Sequence, residues 1–496
     1  MKRINLNYIQ IATLLLLTLL TACSKKIDIT PQFSLDGSKP LTSLDQADFV
    51  LTGTYNSFLG GGYFNSVPTA NTAGQTLQPA SFSGLPDMMS DDLVETFEDF
   101  PNYRKASEWT YTADEANVQI TFANCYNVIS GVNIILRDVD NLSAIEPDRA
   151  NNIKGQALAI RAMAHFDLLR YFATTFDRNS TELGIAYIKT YDATGKPSRN
   201  SIKECYDNIF ADVNAAITAF NASGSSSGDV SRIDVNAAYA LKARASLYAG
   251  LWQDAADAST LLIDQLSLAN MDDFPGIWTD DNDEEVIWKV KFQSVNDGTP
   301  YENVFFARGN KSLYRPTLTI DALYDAANDV RHDTYIANVG TFNGIGHDPR
   351  LAVIKHRGKS PASATEGGGF VDWKVFRVAE FYLSRAEANF QLGNEASALA
   401  DLNALRTARI IGFVDGTETG SALLDAIKLE RRKELAFEGH RFFDLKRWDK
   451  TQIDRCGEID SPSSICELDH SSRAWAWPIP ETEISANPNM IQNPGY

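Results

Sequence analysis

Glu430, Glu434 and Glu438 recur every fourth residue in the stretch ERRKELAFEGHRFFDLKRW, with His440 and Asp444 close behind. On a helix the three glutamates share one face, a turn apart. Carboxylates beside a histidine ligate metals or exchange protons. The same residues also suit a structural helix and its exit. Arg431 lies three residues from Glu434, Lys433 three from Glu430, and Arg441 follows Glu438, so cations answer the like charges. Gly439 ends the helix, and Phe442, Phe443, Leu445 and Trp448 form a buried plug. We expect scaffold, because structural ion-pair networks commonly imitate catalytic clusters.

Other residues suit ligand capture. A sugar presents C–H groups on its faces and hydroxyls at its rim, so its site combines aromatic rings with short polar side chains on loops. Ser90–Tyr111 offers Asp91, Phe97, Phe100, Tyr103 and Trp109, and Asn296–Pro316 offers Tyr301, Asn303, Arg308 and Tyr314. Trp252 and Trp288 belong to helix and strand contexts and read as core. A hydrolytic alternative needs two carboxylates about 5–9 Å apart, with Asp91 or Asp92 as one of them. The acids of TDDNDEEVIW (Thr279–Trp288) suit calcium, but without EF-hand spacing they read better as a solvated loop before a strand. His332, His347 and His356 share no ligand spacing, so no metal is assigned.

These loops need a frame, and an internal repeat supplies one. Tyr239, Ala243, Gly250 and Ala255 have the spacing of Tyr382, Ala386, Gly393 and Ala398, and R-A-x-A-x-F occurs at both Arg161 and Arg385. Small residues admit a neighbouring helix and the glycine turns the chain, as in a tetratricopeptide (TPR) helix pair. Helical runs are expected at 116–142, 202–220, 321–328 and 422–437, and a strand at 285–292. The expected fold is mainly α: a TPR-like helix-pair superhelical scaffold with a large irregular loop-rich lobe containing a few short strands. The helical parts fall at about 116–265 and 375–449, and the irregular lobe at about 52–112 and 270–370, in one domain over 23–496.

The chain has 496 residues and a net charge of −19. The acidic balance argues against nucleic acid. Lys2 and Arg3 precede an apolar run, Ile11–Ala22, too short to span a bilayer. It reads as a secretory signal over residues 1–22. Leu20-Thr21-Ala22-Cys23 resembles a bacterial lipobox, with Cys23 the lipidated residue. Of the remaining cysteines, Cys456 and Cys466 flank a short polar loop as a plausible disulfide. Cys125 and Cys205 read as buried hydrophobes, and no Cys/His cluster suggests zinc.

FYLSRAEANFQLGNEASALADLNALRTAR (Phe381–Arg409), the ERRKELAFEGHRFFDLKRW segment after it, the tail WPIPETEISANPNMIQNPGY (Trp477–Tyr496) and the opening Cys23–Pro31 together resemble the SusD/RagB family of outer-membrane nutrient-binding lipoproteins. The resemblance implies a lipid-anchored protein at the cell surface of the outer membrane that binds oligosaccharide or another nutrient. It implies delivery to a SusC-like TonB-dependent transporter, with no catalysis and no cofactor. Two other readings remain: a surface glycan hydrolase, and a TPR-like scaffold that binds only proteins.

Overall fold

Helix ends in the chain follow their local chemistry. In the computed structural model, Ser201 and Glu204 form a reciprocal capping box at the start of Ile202–Ser223, and Gly224 closes that helix at φ +63°. Asp234 caps Val235–Tyr248 through the amides of Asn236 and Ala237. The structure describes residues 37–60, 62–64, 80–98, 103–224, 228–292, 312–340, 349–356, 358, 371–458 and 461–496. Cys23 and the signal segment, Phe100, Tyr301, Asn303, Arg308 and His347 lie outside the described residues. Residues 41–496 form one unit.

The long helices are α1 (Leu44–Gly60), α2 (Ala116–Asp138), α3 (Pro147–Phe172), α4 (Ile202–Ser223), α5 (Val235–Tyr248), α6 (Trp252–Ile263), α7 (Val378–Gln391), α8 (Glu395–Thr407) and α9 (Gly420–Glu434). The short α10 (Arg441–Arg447) follows.

The repeat builds two hairpins, α5–α6 and α7–α8. Gly250 and Gly393 turn them at φ +67° and +80°. Ala243, Ala255, Ala386 and Ala398 are completely buried where the helices meet. Leu247, Ala255, Ala256 and Ala388 join one hairpin to the next. A further apolar layer, including Leu383, Leu402, Leu405 and Ile427, packs α7 and α8 against α9. The arginine of each R-A-x-A-x-F grips the following helix with a two-pronged ion pair: Arg161 holds Asp212 at 2.7 Å, and Arg385 holds Asp401 at 2.7 and 2.9 Å. Gly155 of α3 admits the Phe220 ring, which a β-carbon there would approach to 2.9 Å.

Eight short strands make four two-stranded antiparallel sheets among the described residues: β1 (Leu93–Glu95) with β3 (Tyr314–Pro316), β2 (Val286–Val290) with β6 (Trp373–Arg377), β4 (Ile336–Asn338) with β5 (Leu351–Val353), and β7 (Ile453–Asp454) with β8 (Glu467–Leu468). Cys456 and Cys466 are bonded across the last hairpin, Cα–Cα 5.0 Å, while Cys125 and Cys205 are buried free thiols. Among the described residues no helix is long and apolar enough to cross a membrane.

Three expectations change. Residues 52–60, assigned above to the irregular lobe, complete α1, whose buried face is Leu44, Ala47, Leu51, Thr54 and Phe58. Tertiary burial there overrides weak local propensity. The helix expected at 321–328 is a single turn, Leu318–Asp321, capped by Thr317 and followed by turns. Trp288 is core, but Trp252 is only half buried.

Candidate ligand-binding site

The glutamates of the opening motif are interior ion-pair partners. Glu434, fully buried, accepts from Arg409 at 3.1–3.3 Å, Arg377 at 3.0 Å and Arg331 at 3.1 Å. Burial alone would raise its pKa, but these three guanidiniums outweigh it and hold the carboxyl far below the usual range. Glu438 takes Arg377 at 2.7 and 2.8 Å and Lys355 at 2.6 Å. Glu430 takes Arg331 and Arg406, at 2.7 and 3.0 Å. Burial likewise opposes ionisation of both, and their cations again prevail. Burial, reinforced by neighbouring arginines, drives the His440 pKa well below normal, so the ring is neutral.

The cations assigned from spacing choose distant partners instead. Arg431 pairs with Asp444 at 2.8 Å, Lys433 with Asp329 at 2.8 Å, and Arg441 with Asp91 at 2.7 and 2.9 Å. Gly439 also has a different task. The helix ends at Glu434, and Phe437 makes the left-handed turn at φ +63°. Gly439, at φ +74°, passes so close to Phe82 that a β-carbon would sit 2.4 Å from its carbonyl oxygen. Its amide donates to Asp87 at 2.9 Å. The motif is thus a weld between the helical part and the loop-bearing part: Arg331, Arg377 (end of β6) and Glu285 (before β2) all meet at Glu434 or its arginines.

The two candidate loops meet at their bases. The β1–β3 ladder sets Leu93 opposite Pro316, Val94 opposite Arg315 and Glu95 opposite Tyr314. It continues through Thr96 N to Leu313 O and Thr317 N to Asp92 O, both 2.9 Å. Next along the chain, Glu98 accepts from the Ser312 amide at 2.8 Å and from Arg350 at 2.6 Å through each oxygen. Both side chains of that pair are buried. One carboxylate therefore gathers the ends of three segments, at 98, 312 and 350. Phe97 stands beside it, 60% exposed.

The other aromatic candidates are interior. Tyr103, Trp109 and Tyr314 are 8%, 7% and 0% exposed. Trp109 donates to Met89 O at 2.9 Å, with the Arg455 guanidinium 4.5 Å over its ring. Tyr103 and Trp109 hold positive φ angles, +67° and +54°, and so reverse the chain inward. These rings support the platform from below.

Asp91 is clamped by Arg441, with Arg432 at 3.2 Å, and Asp92 is completely buried against Arg432 at 2.7 Å. Burial would raise the Asp91 pKa, but Arg441 and Arg432 hold it far below normal. Burial wins at Asp92, raising its pKa despite Arg432. Three of the five acids considered for calcium are paired with cations: Asp280 takes Lys374 at 2.5 Å, Asp283 takes Lys289 at 2.6 Å, and Glu285 takes Arg409 at 2.8 Å. Asp454, Cys456 and Glu467 approach one another on the surface, but the sulfur belongs to the disulfide and offers no thiolate.

Comparison with known proteins matches this architecture. Residues 331–496 match the family described as "SusD family", and residues 79–247 match "Starch-binding associating with outer membrane". SusD-like protein P38 of Formosa agariphila is 23% identical over 83% of this chain and 86% of its own. Starch-binding protein SusD of Bacteroides thetaiotaomicron is 30% identical over 36% of this chain and 35% of its own. Among solved structures, a SusD superfamily protein from B. thetaiotaomicron superposes with a TM-score of 0.78 at 24% identity, covering 91% of this chain and all of that one. Surface glycan-binding protein A from Bacteroides fluxus superposes at 0.69 with 21% identity, covering 92% of this chain and all of that one. Two separate matched stretches, relatives along most of the length and a shared fold lead to one conclusion: the chain belongs to the SusD/RagB family.

Proposed function

We propose that this protein is a surface glycan receptor of the outer membrane. It is tethered through a lipid on Cys23 and passes its ligand, unaltered, to a SusC-like TonB-dependent transporter. The observation that carries the reading is the convergence at Glu98, where the β1–β3 ladder and Arg350 gather three chain segments around the exposed Phe97. Relatives named for starch and glycan binding supply the ligand class. In this reading a sugar's C–H face stacks on Phe97. Tyr301, Asn303 and Arg308, which lie outside the described residues, remain the candidates for its hydroxyls. Asp91 is a positioning residue that holds the platform to Arg441. Its carboxylate is taken up by Arg441 and Arg432, which favours a structural role over a catalytic one.

The test is threefold. The mature chain is titrated with a polysaccharide panel, the ligand is analysed afterwards for new reducing ends, and a Cys23→Ala chain is fractionated from cells. Saturable binding, intact ligand and loss of the variant from the membrane fraction support the reading. New reducing ends would turn it towards the hydrolase.

A further inference from the structure

A concavity elsewhere in the chain is lined by none of the residues of the Glu98 platform. It is a cleft of about 500 Å³ between α2, the segment 186–197 and the C-terminal segment 480–490. That volume is in the range of sites for small ligands. Its floor is aromatic and apolar: Phe122 and Tyr126 stand a turn apart on α2 with centroids 4.7 Å apart, and Pro480 closes the far side. Its rim carries the amide of Gln119, the hydroxyls of Thr190 and Thr482, and the carboxylates of Asp192 and Glu483.

The walls are fixed to one another. Tyr126 donates to Ala186 O at 2.8 Å, tying α2 to the middle wall. Asn487 donates to Pro197 O and Asn489 to Lys196 O, both at 2.8 Å, tying the middle wall to the tail. Glu481 N donates to Ala113 O at 2.8 Å, joining the tail to the start of α2. Three segments distant in sequence thus enclose a preformed space, and a ligand entering it pays little ordering cost. Lys196, the cation of the rim, donates to Ala486 O. Lys196 keeps its charge there, so with Asp192 and Glu483 the rim is acidic by one net charge.

We propose that this cleft is a second carbohydrate site, taking a short uncharged sugar. The ring's C–H face lies against Tyr126 and Phe122, and its hydroxyls exchange hydrogen bonds with the threonines and carboxylates of the rim. Asp192 and Glu483 exclude acidic sugars by charge. The site shares its ligand class with the proposed function but none of its residues, so either can fail alone.

The test uses the mature chain and saturation-transfer NMR with glucose, galactose, maltose, cellobiose and lactose, and with glucuronate as the acidic probe. Ala123 is exposed on the α2 wall, so Ala123→Phe plugs the cleft without entering the core. Thr190→Trp plugs it from the opposite rim and serves if the first variant misfolds. We expect at least one neutral sugar to bind, that binding to persist in Phe97→Ala, at least tenfold weaker binding in the plugged chain, and glucuronate at least tenfold weaker than glucose. The proposal is overturned if no neutral sugar binds, if plugging leaves every affinity unchanged, or if Phe97→Ala alone abolishes all binding.

Discussion

Glu98 and Arg350, 252 residues apart, form a buried two-pronged ion pair with both contacts at 2.6 Å. Their pairing ties the chain at residue 98, next to Phe97, to the chain at residue 350. Removing the charge with Glu98→Gln leaves a buried guanidinium short of its counter-ion, at a cost of about 3 kcal/mol. Chemical unfolding should show that loss, and titration should show at least tenfold weaker glycan binding, because the platform loses its anchor.

Glu434→Gln should separate stability from binding. Three arginines lose their common anion in the interior, so unfolding free energy should fall by about 3–5 kcal/mol. Glycan affinity, measured on the folded fraction at low temperature, should not change. Lost affinity with normal stability would return the motif to the binding site.

Two glycines with similar backbone angles should respond differently. Gly393→Ala meets nothing within 4 Å and bears only the left-handed penalty, about 1–2 kcal/mol. Gly439→Ala adds a clash with the Phe82 carbonyl and should cost about 2–5 kcal/mol in total. Thermal melts of the pair give the comparison directly.

How much of this was legible in the sequence depended on distance along the chain. The hairpins were, because Ala243, Gly250 and Ala255 repeat as Ala386, Gly393 and Ala398 within one local frame. The strand at 285–292 was as well, although its residues are buried on both faces where alternation suggested one. The partners of Arg431, Lys433 and Arg441 were not, since i,i+3 reasoning cannot see Asp329 or Asp91. Nor could composition show that Tyr103 and Trp109 turn inward, a matter of two positive φ angles. The Arg161–Asp212 and Arg385–Asp401 grips were not legible either, because the repeated arginine finds its carboxylate 51 residues on in one case and 16 in the other.

Acid should destabilise the protein in two stages. Burial pushes His165 down to about 3 and His356 and His440 well below 6.5. Their folded pKa values lie below the unfolded one, so the unfolded chain binds more protons. Stability is lost as pH falls below about 6.5, by up to roughly 1.4 kcal/mol per pH unit for each histidine. Below about 4.5 the paired glutamates Glu430, Glu434 and Glu438, also depressed, add to the slope. Urea unfolding at pH 7.5, 6, 5 and 4 should show a steady decline that steepens at the end. A flat profile from 6.5 to 5 would contradict the buried neutral histidines.

The most direct test of a receptor that grips glycan without altering it follows one ligand through a full cycle. An oligosaccharide selected from the panel is titrated calorimetrically into wild type and Phe97→Ala, then recovered and sized. The account predicts saturable binding, three- to tenfold weaker in the variant, about what one aromatic contact supplies, with the ligand recovered at its original length. Equal affinity in both proteins, or shortened ligand, would contradict it.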